Sequence, residues 1–382
     1  MSRKTILFLS WRDIKNPKSG GAEVYTHEVL RRLVQKGHQI VHISPIFAKG
    51  QKEERIDGVL YLRRGSNISV IAQAMKYYLS HRKEISLVID QCNTHRFFTP
   101  LWLPHSKRAF FIHQMTREIW FEMMAPHKAL CGVLFEAFAL KLNSKDRTIT
   151  VSQSTRNDLL EAGFRAENLV IAPEGLIFTP WNKENFLEKD AYTFLYAGRI
   201  NQYKGVETAI RTIAHLRKEG YPCRLRIVGR GEKEYINTVL KPLIQELRLH
   251  YSEGGDDPQT SNIHFFGFVS DDELKNLMSR SLALLFASSR EGWGLTVSES
   301  AIFGTPSIVW PSAGLVDAVN FGQAGYLCKY RTVESMVEQA KRILDNPEEY
   351  QEKRMEAYRF ACTLNFDRSA EVFDQCISKW AS

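Results

Sequence analysis

The stretch 288–300 reads Ser-Ser-Arg-Glu-Gly-Trp-Gly-Leu-Thr-Val-Ser-Glu-Ser. It follows an apolar run, residues 282–286, that predicts a buried strand, and it precedes a short helix that ends at Gly304. Gly292 and Gly294 let the backbone pass close to a ligand. The helix beginning at Leu295 and Thr296 turns unpaired N–H groups back onto the loop, which suits an anion. Glu291 and Glu299 bracket this turn, and Glu299 sits where it could hold a pair of sugar or ribose hydroxyls. The same residues also fit a plain strand–helix junction with two solvated glutamates.

Other groups with chemistry stand at expected strand exits. Gly198-Arg199 and Lys204-Gly205 follow one strand, Gly229-Arg230-Gly231 the next, and Phe268 a third. Arg199 can fork onto phosphate oxygens and Lys204 acts as a point charge; both are equally ordinary as surface cations. Glutamates repel phosphate and bind hydroxyls, so the set suits a nucleotide sugar better than ATP. No GxxxxGK[ST] run occurs, which argues against a P-loop enzyme. Nearer the N-terminus, Ser19-Gly20-Gly21 opens a helix behind the first strand, and Gly21 could admit a phosphate or sugar edge. The loop lacks the three-glycine dinucleotide spacing, so a nicotinamide cofactor is not expected. His113 ends the strand of residues 109–112, as either a crevice residue or a buried structural histidine. Trp11, Trp120 and Phe121 could stack on a sugar ring or a lipid stem, or belong to the core.

These residues need a scaffold that aligns strand exits. The chain has 382 residues, 44% of them apolar and 25% charged, which predicts a globular protein of two domains. Strands and helices alternate through both halves, so each half is expected to be a parallel sheet covered by helices, with ligands at the carboxyl ends of the strands. The polar segment 178–190 is read as the linker. Helical periodicity is expected for residues 68–81, for 232–247 and for the closing segment 366–380, while 250–261 reads as a surface loop. Six scattered cysteines form no metal-type pair, and a reducing compartment fits them. No signal-peptide pattern follows Arg3 and Lys4, so a cytoplasmic protein is expected. The net charge of +8 is compatible with a diphosphate ligand or anionic lipid, and no nucleic-acid motif accompanies it. The apolar run 130–142 is either a core helix or a surface that lies against a membrane.

The order and spacing of these motifs resemble the retaining glycosyltransferase family 4, the group 1 glycosyltransferases of GT-B fold. The resemblance rests on Gly20-Gly21-Ala22-Glu23, on Gly198-Arg199 with Lys204-Gly205, on Glu291 and Glu299 with seven residues between them, on Ser152-Gln153-Ser154-Thr155 and on the closing aromatic-containing helix. It implies two Rossmann-like parallel-sheet domains facing across a cleft. Residues 1–182 would form an acceptor-side domain with 363–382 packing back on it, and 183–362 a nucleotide-sugar domain. It implies transfer of a hexose, with retention, from a UDP- or GDP-sugar to a sugar, glycoside or lipid-linked glycan hydroxyl, in polysaccharide biosynthesis. Within this resemblance Glu291 lies near the transferred sugar and Glu299 holds the ribose. Arg199 and Lys204 bind the diphosphate, Gly21 approaches it, and His113 stands near the reacting sugar. Gly198, Gly229, Phe268, Gly294, Leu295 and Thr296 complete the expected donor site. No cofactor or metal is implied, since the cations can meet the leaving diphosphate. The enzyme would be cytoplasmic, or peripheral at the inner face of the membrane. The family's usual Asn-Gly is Glu174-Gly175 here, which leaves the contact normally made there open. A starch-synthase-like elongating enzyme and a non-catalytic glycan- or lipid-binding module are the alternatives.

Overall fold

The computed structural model describes residues 3–92 and 95–381. The chain divides into two compact units, Met1–Gly175 with Leu364–Ser382, and Leu176–Thr363.

The first unit is built on strands β1 (Thr5–Leu9), β2 (Gln39–Ser44), β3 (Glu53–Ile56), β4 (Val59–Arg63), β5 (Ile85–Cys92), β6 (Arg108–Ile112), β7 (Thr148–Thr150) and β8 (Leu169–Ile171). Their order in the sheet is β3-β4-β2-β1-β5-β6-β7-β8. All neighbours run parallel except the edge pair β3–β4, which forms an antiparallel hairpin. Thr5–Leu9 and Val88–Ile89 are almost wholly apolar because both faces of the sheet are covered. The closing helix, Phe366–Trp380, belongs to this unit. Its Phe366, Phe373, Ile377 and Trp380 share a core with Ile6, Phe8 and Tyr25. Polar contacts fix it on the helix Gly21–Gln35 and the turn that follows: Arg32 reaches Asp367 at 2.6 Å, and the buried pair His38–Asp374 closes at 2.9 Å. Gly175 is required where that helix begins, since a Cβ there would lie 2.5 Å from the backbone nitrogen of Phe366.

The second unit holds β9 (Thr193–Ala197), β10 (Arg224–Val228), β11 (Tyr251–Glu253), β12 (Ile263–Gly267), β13 (Leu284–Phe286), β14 (Ser307–Val309) and β15 (Tyr326–Leu327). The sheet order is β11-β12-β10-β9-β13-β14-β15, with every neighbour parallel. Residues 178–190, read from the sequence as the linker, lie on this unit: Trp181 N–H bonds Ile302 O and Asp190 N–H bonds Arg280 O.

Both sheets reverse their winding once. In the first, β1 stands between β2 and β5; in the second, β9 stands between β10 and β13. At such a switch point the connecting loops diverge and leave a crevice at the carboxyl ends of the strands.

Candidate functional site

In the second unit, β9 and β13 flank that reversal. Lys204 comes from the loop after β9, and Glu291 from the loop after β13. Their side chains meet as an ion pair, 16% and 13% exposed. The lysine also stands over the rings of Tyr203 and Phe286, at 5.3 and 5.9 Å. Three glycines allow this approach. A Cβ on Gly205, at φ +76°, would lie 2.2 Å from Ala287 O. One on Gly314 would lie 2.3 Å from Glu291 O, and one on Gly229 only 1.8 Å from Gly198 O. The exits of β9, β10 and β13 are thus pressed together by backbone contact.

The helix Leu295–Ile302 starts at this place, with Gly294 at φ +103° as its N-cap. No acidic residue lies in its first turn, and its first backbone bond runs from Val297 N–H to Gly294 O. The N–H groups of Leu295 and Thr296 precede that first bond, as first-turn amides do. Trp293 is buried with its Nε1 donating to Ser298 Oγ at 3.0 Å, which fixes the loop from below. Glu299 lies one turn into the helix. Loss of solvation, and then the carboxylate of Asp271, push its pKa up to about 7. Arg199 is exposed at the exit of β9. Phe268, 69% exposed at the exit of β12, carries the Arg230 guanidinium 4.1 Å over its ring. The second unit so brings Gly198, Lys204, Gly229, Glu291, Gly294, Leu295 and Thr296 to one sheet end.

In the first unit, His113 follows β6 and is buried. The amide Nε2 of Gln91 lies 3.1 Å from His113 Nε2, so the amide donates and that ring nitrogen accepts. The proton is then on Nδ1, which faces Glu174 Oε1 at 3.6 Å. Burial pushes the Glu174 pKa up against the lowering effect of His113, and its Oε2 has no hydrogen-bond partner among the described residues. Tyr25 meets the imidazole edge-on at 5.3 Å, and Thr155 Oγ1 donates to the His113 carbonyl at 3.0 Å. Sequence reasoning missed Gln91 and the pairing of Glu174. Gln91 carried a signal, since it stands at a strand end, whereas nothing local joins Glu174 to His113.

The remaining first-unit residues are spread out. Trp11 stacks on His95 at 5.9 Å and lines a cavity of about 350 Å³ with Arg12, Lys18, Ile46, Phe47 and Asn67. Gly21 is exposed at the start of its helix, where Glu23 already accepts from Gly20 N–H at 2.7 Å and pairs with Arg12 at 3.0 Å. Trp120 is held by the helix Pro126–Asn143: its Nε1 donates to Glu136 at 3.2 Å, and Gly132 packs against its ring. Phe121 is 53% exposed. Among the described residues, no group of three or more His, Cys, Asp or Glu side chains could hold a metal ion.

Known proteins share this two-domain fold. Residues 19–177 match the family model Glycosyltransferase Family 4, and residues 178–360 match Glycosyl transferases group 1. The chain carries the paired domains of a GT-B-fold glycosyltransferase. The chain is 29% identical over 231 residues to a glycogen synthase of Mycobacterium tuberculosis, covering 59% of this chain and 52% of that protein. The chain thus spans about half the length of that relative. Sucrose-phosphate synthase from Thermosynechococcus elongatus has the same fold, with a TM-score of 0.77, 17% identity and 99% of both chains covered. So does Anabaena HepE in complex with UDP-glucose, with a TM-score of 0.70, 16% identity, and 98% of this chain and 99% of that one covered.

Proposed function

We propose that the protein is a retaining glycosyltransferase that moves a hexose from a nucleoside-diphosphate sugar to a hydroxyl of a sugar, glycoside or lipid-linked glycan. The observation that carries this reading is the meeting of Lys204, Glu291 and the open helix start at Leu295 and Thr296 beside the β9–β13 reversal. A diphosphate suits that helix start, and Lys204 with Arg199 supplies its countercharge. Glu299 accepts the ribose hydroxyls, and Phe268 is an exposed ring on which a nucleobase can lie. UDP-glucose bound to HepE supports a uridine donor.

In the proposed reaction the bond between the anomeric carbon and the phosphate oxygen breaks, and its electron pair stays on the phosphate. Lys204, Arg199 and the Leu295 and Thr296 amides stabilise that charge. The acceptor oxygen bonds the anomeric carbon on the same face, and its proton passes to the leaving phosphate. Glu291 and His113 attend the transferred sugar. The acceptor belongs to the first unit, where the Trp11 cavity offers an indole and two cations, Arg12 and Lys18. Cytoplasmic placement goes with a cytoplasmic supply of nucleotide sugars. Similarity to a glycogen synthase favours polymer elongation as the second reading.

Titration calorimetry with UDP, GDP and ADP tests the donor site, and UDP is expected to bind most tightly. Binding of none of the three would end the reading. Turnover of UDP-glucose with maltooligosaccharides would select the elongating alternative.

The titration of Glu299 gives a further expected result. Its hydroxyl-accepting form is the carboxylate, which forms as pH rises through about 7. Nucleotide affinity should therefore climb between about pH 6 and pH 8, by at most about tenfold per unit. Glu299→Gln should weaken binding at the alkaline end and flatten the Glu299 part of the curve; subtracting the two profiles removes the titration of the nucleotide itself. In the free protein the raised pKa means that the folded state holds the extra proton between about 4.5 and 7, so stability falls as pH rises through that window. The same variant should melt higher than the wild type at alkaline pH and alike in acid. Parallel binding curves would remove Glu299 from the ribose.

A further inference from the structure

The helix Pro126–Asn143 is turned the wrong way for a core helix. Its one acid, Glu136, points inward and accepts from Thr116 N–H at 2.6 Å, Arg117 N–H at 2.8 Å and Trp120 Nε1 at 3.2 Å. Its outward arc carries Leu130, Leu134, Phe135 and Phe138, which are 53%, 62%, 51% and 64% exposed. Phe121 and Met124, just before the helix, are exposed as well, and Phe98, whose ring lies 6.3 Å from that of Phe135, leads on to exposed Leu101. A contiguous apolar face of this kind marks an interaction surface.

Charge selects the occupant. His127 and Lys128 stand at the start of the helix and Lys141 in its last turn, all exposed. Lys128 and Lys141 are roughly 20 Å apart along the axis, with the apolar residues between them. A cation in the first turn opposes the helix dipole, so Lys128 does not serve helix stability. The outward arc offers no carboxylate and no amide, so its polar groups are the cations at its two ends, which suit an anionic partner. Long cationic stems at both ends can rise to phosphate headgroups while the rings and leucines between them enter the acyl boundary. Among the described residues no helix is long and apolar enough to cross a membrane, so this one would lie on it.

We infer that the face formed by Leu130, Leu134, Phe135 and Phe138, bracketed by Lys128 and Lys141, docks the protein onto an anionic lipid surface. The inference stands apart from the donor reading, because lipid binding needs no nucleotide.

The full chain is sedimented with vesicles of phosphatidylcholine alone and of phosphatidylcholine with phosphatidylglycerol. Partition onto the anionic vesicles is expected to be at least about tenfold stronger, and to fall as salt is raised. Leu134→Ser combined with Phe138→Ser should lower partition by about tenfold or more. Lys128→Glu combined with Lys141→Glu should erase the preference for phosphatidylglycerol. All four positions are exposed, and thermal melts check that the variants fold. Absence of the chain from anionic vesicles overturns the inference, as does undiminished binding of the Leu134/Phe138 variant. Self-association of the wild type that this variant abolishes would also overturn it, by giving the face to a second copy of the chain.

Discussion

Lys204→Ala is expected to lower turnover about 100- to 1,000-fold and nucleoside-diphosphate affinity about tenfold. Lys204 is paired with Glu291 in the free protein, so a diphosphate must draw the ammonium from the carboxylate or share it. Removing the lysine therefore does two things. It takes the countercharge from the leaving phosphate, and it strands a largely buried carboxylate. The second effect costs stability of about 1–3 kcal/mol, and a double variant separates it from the first. Lys204→Ala with Glu291→Gln should regain most of the lost stability while turnover stays low, because the amide needs no cation and the phosphate still does. Glu291→Gln alone should bind nucleotide close to normally and transfer poorly. Thermal melts, calorimetry and single-turnover rates on the three variants decide the matter. Recovery of turnover in the double variant would make the pair structural. A Lys204→Ala protein that transfers within a few-fold of the wild type would remove Lys204 from the reaction.

Local signals were legible where the physics is local. The Ser152 and Ser270 side chains, each just before a helix, accept from Thr155 N–H and Glu273 N–H, as a serine at that position is expected to. The strand exits carrying Gly198, Lys204, Glu291 and Gly294 were readable because apolar runs end sharply at glycine. What could not be read is contact between exits: Gly229 needs its missing side chain because Gly198 O lies beside it, and that follows from strand order. The hairpin strand Glu53–Ile56 was missed, since Glu-Glu-Arg-Ile has little strand propensity and its pairing with β4 defines it. Likewise the Tyr251–Glu253 strand was hidden in a loop rich in Gly and Asp. The helix expected over 232–247 changes to wider turns at Ile236–Leu240, next to Pro242, which has no N–H to continue the regular ladder. In the helix Pro126–Asn143 the rule of apolar residues inward misleads, because Leu130, Leu134, Phe135 and Phe138 are exposed while Glu136 is buried by the backbone N–H groups it accepts from.

His113→Ala should cut turnover about 100-fold and leave nucleoside-diphosphate affinity within about twofold of the wild type. His113 belongs to the first unit, whereas Lys204, Glu291 and Glu299 belong to the second. Because His113 is buried, His113→Asn serves as a second variant that keeps a polar partner for Gln91; a loss shared by both, without a lower melting point, belongs to chemistry. Glu174→Gln then asks how His113 is held. Its carboxylate faces Nδ1 at 3.6 Å and keeps the proton on that nitrogen, leaving Nε2 as the acceptor for Gln91. To act on a sugar hydroxyl, Nε2 has to exchange the Gln91 amide for the substrate, which a carboxylate behind the ring favours. The amide variant should therefore lower turnover about tenfold. Its effect on stability should be opposite. The Glu174 pKa is raised in the folded state, so the wild type loses stability as pH rises from about 4.5 through that raised value, and the uncharged variant does not. Glu174→Gln is thus expected to melt alike in acid and higher near pH 8, while working more slowly at both. Higher melting with unchanged turnover would make Glu174 a buried burden with no part in the reaction. Equal loss of nucleotide affinity and turnover in His113→Ala would take His113 off the reacting sugar.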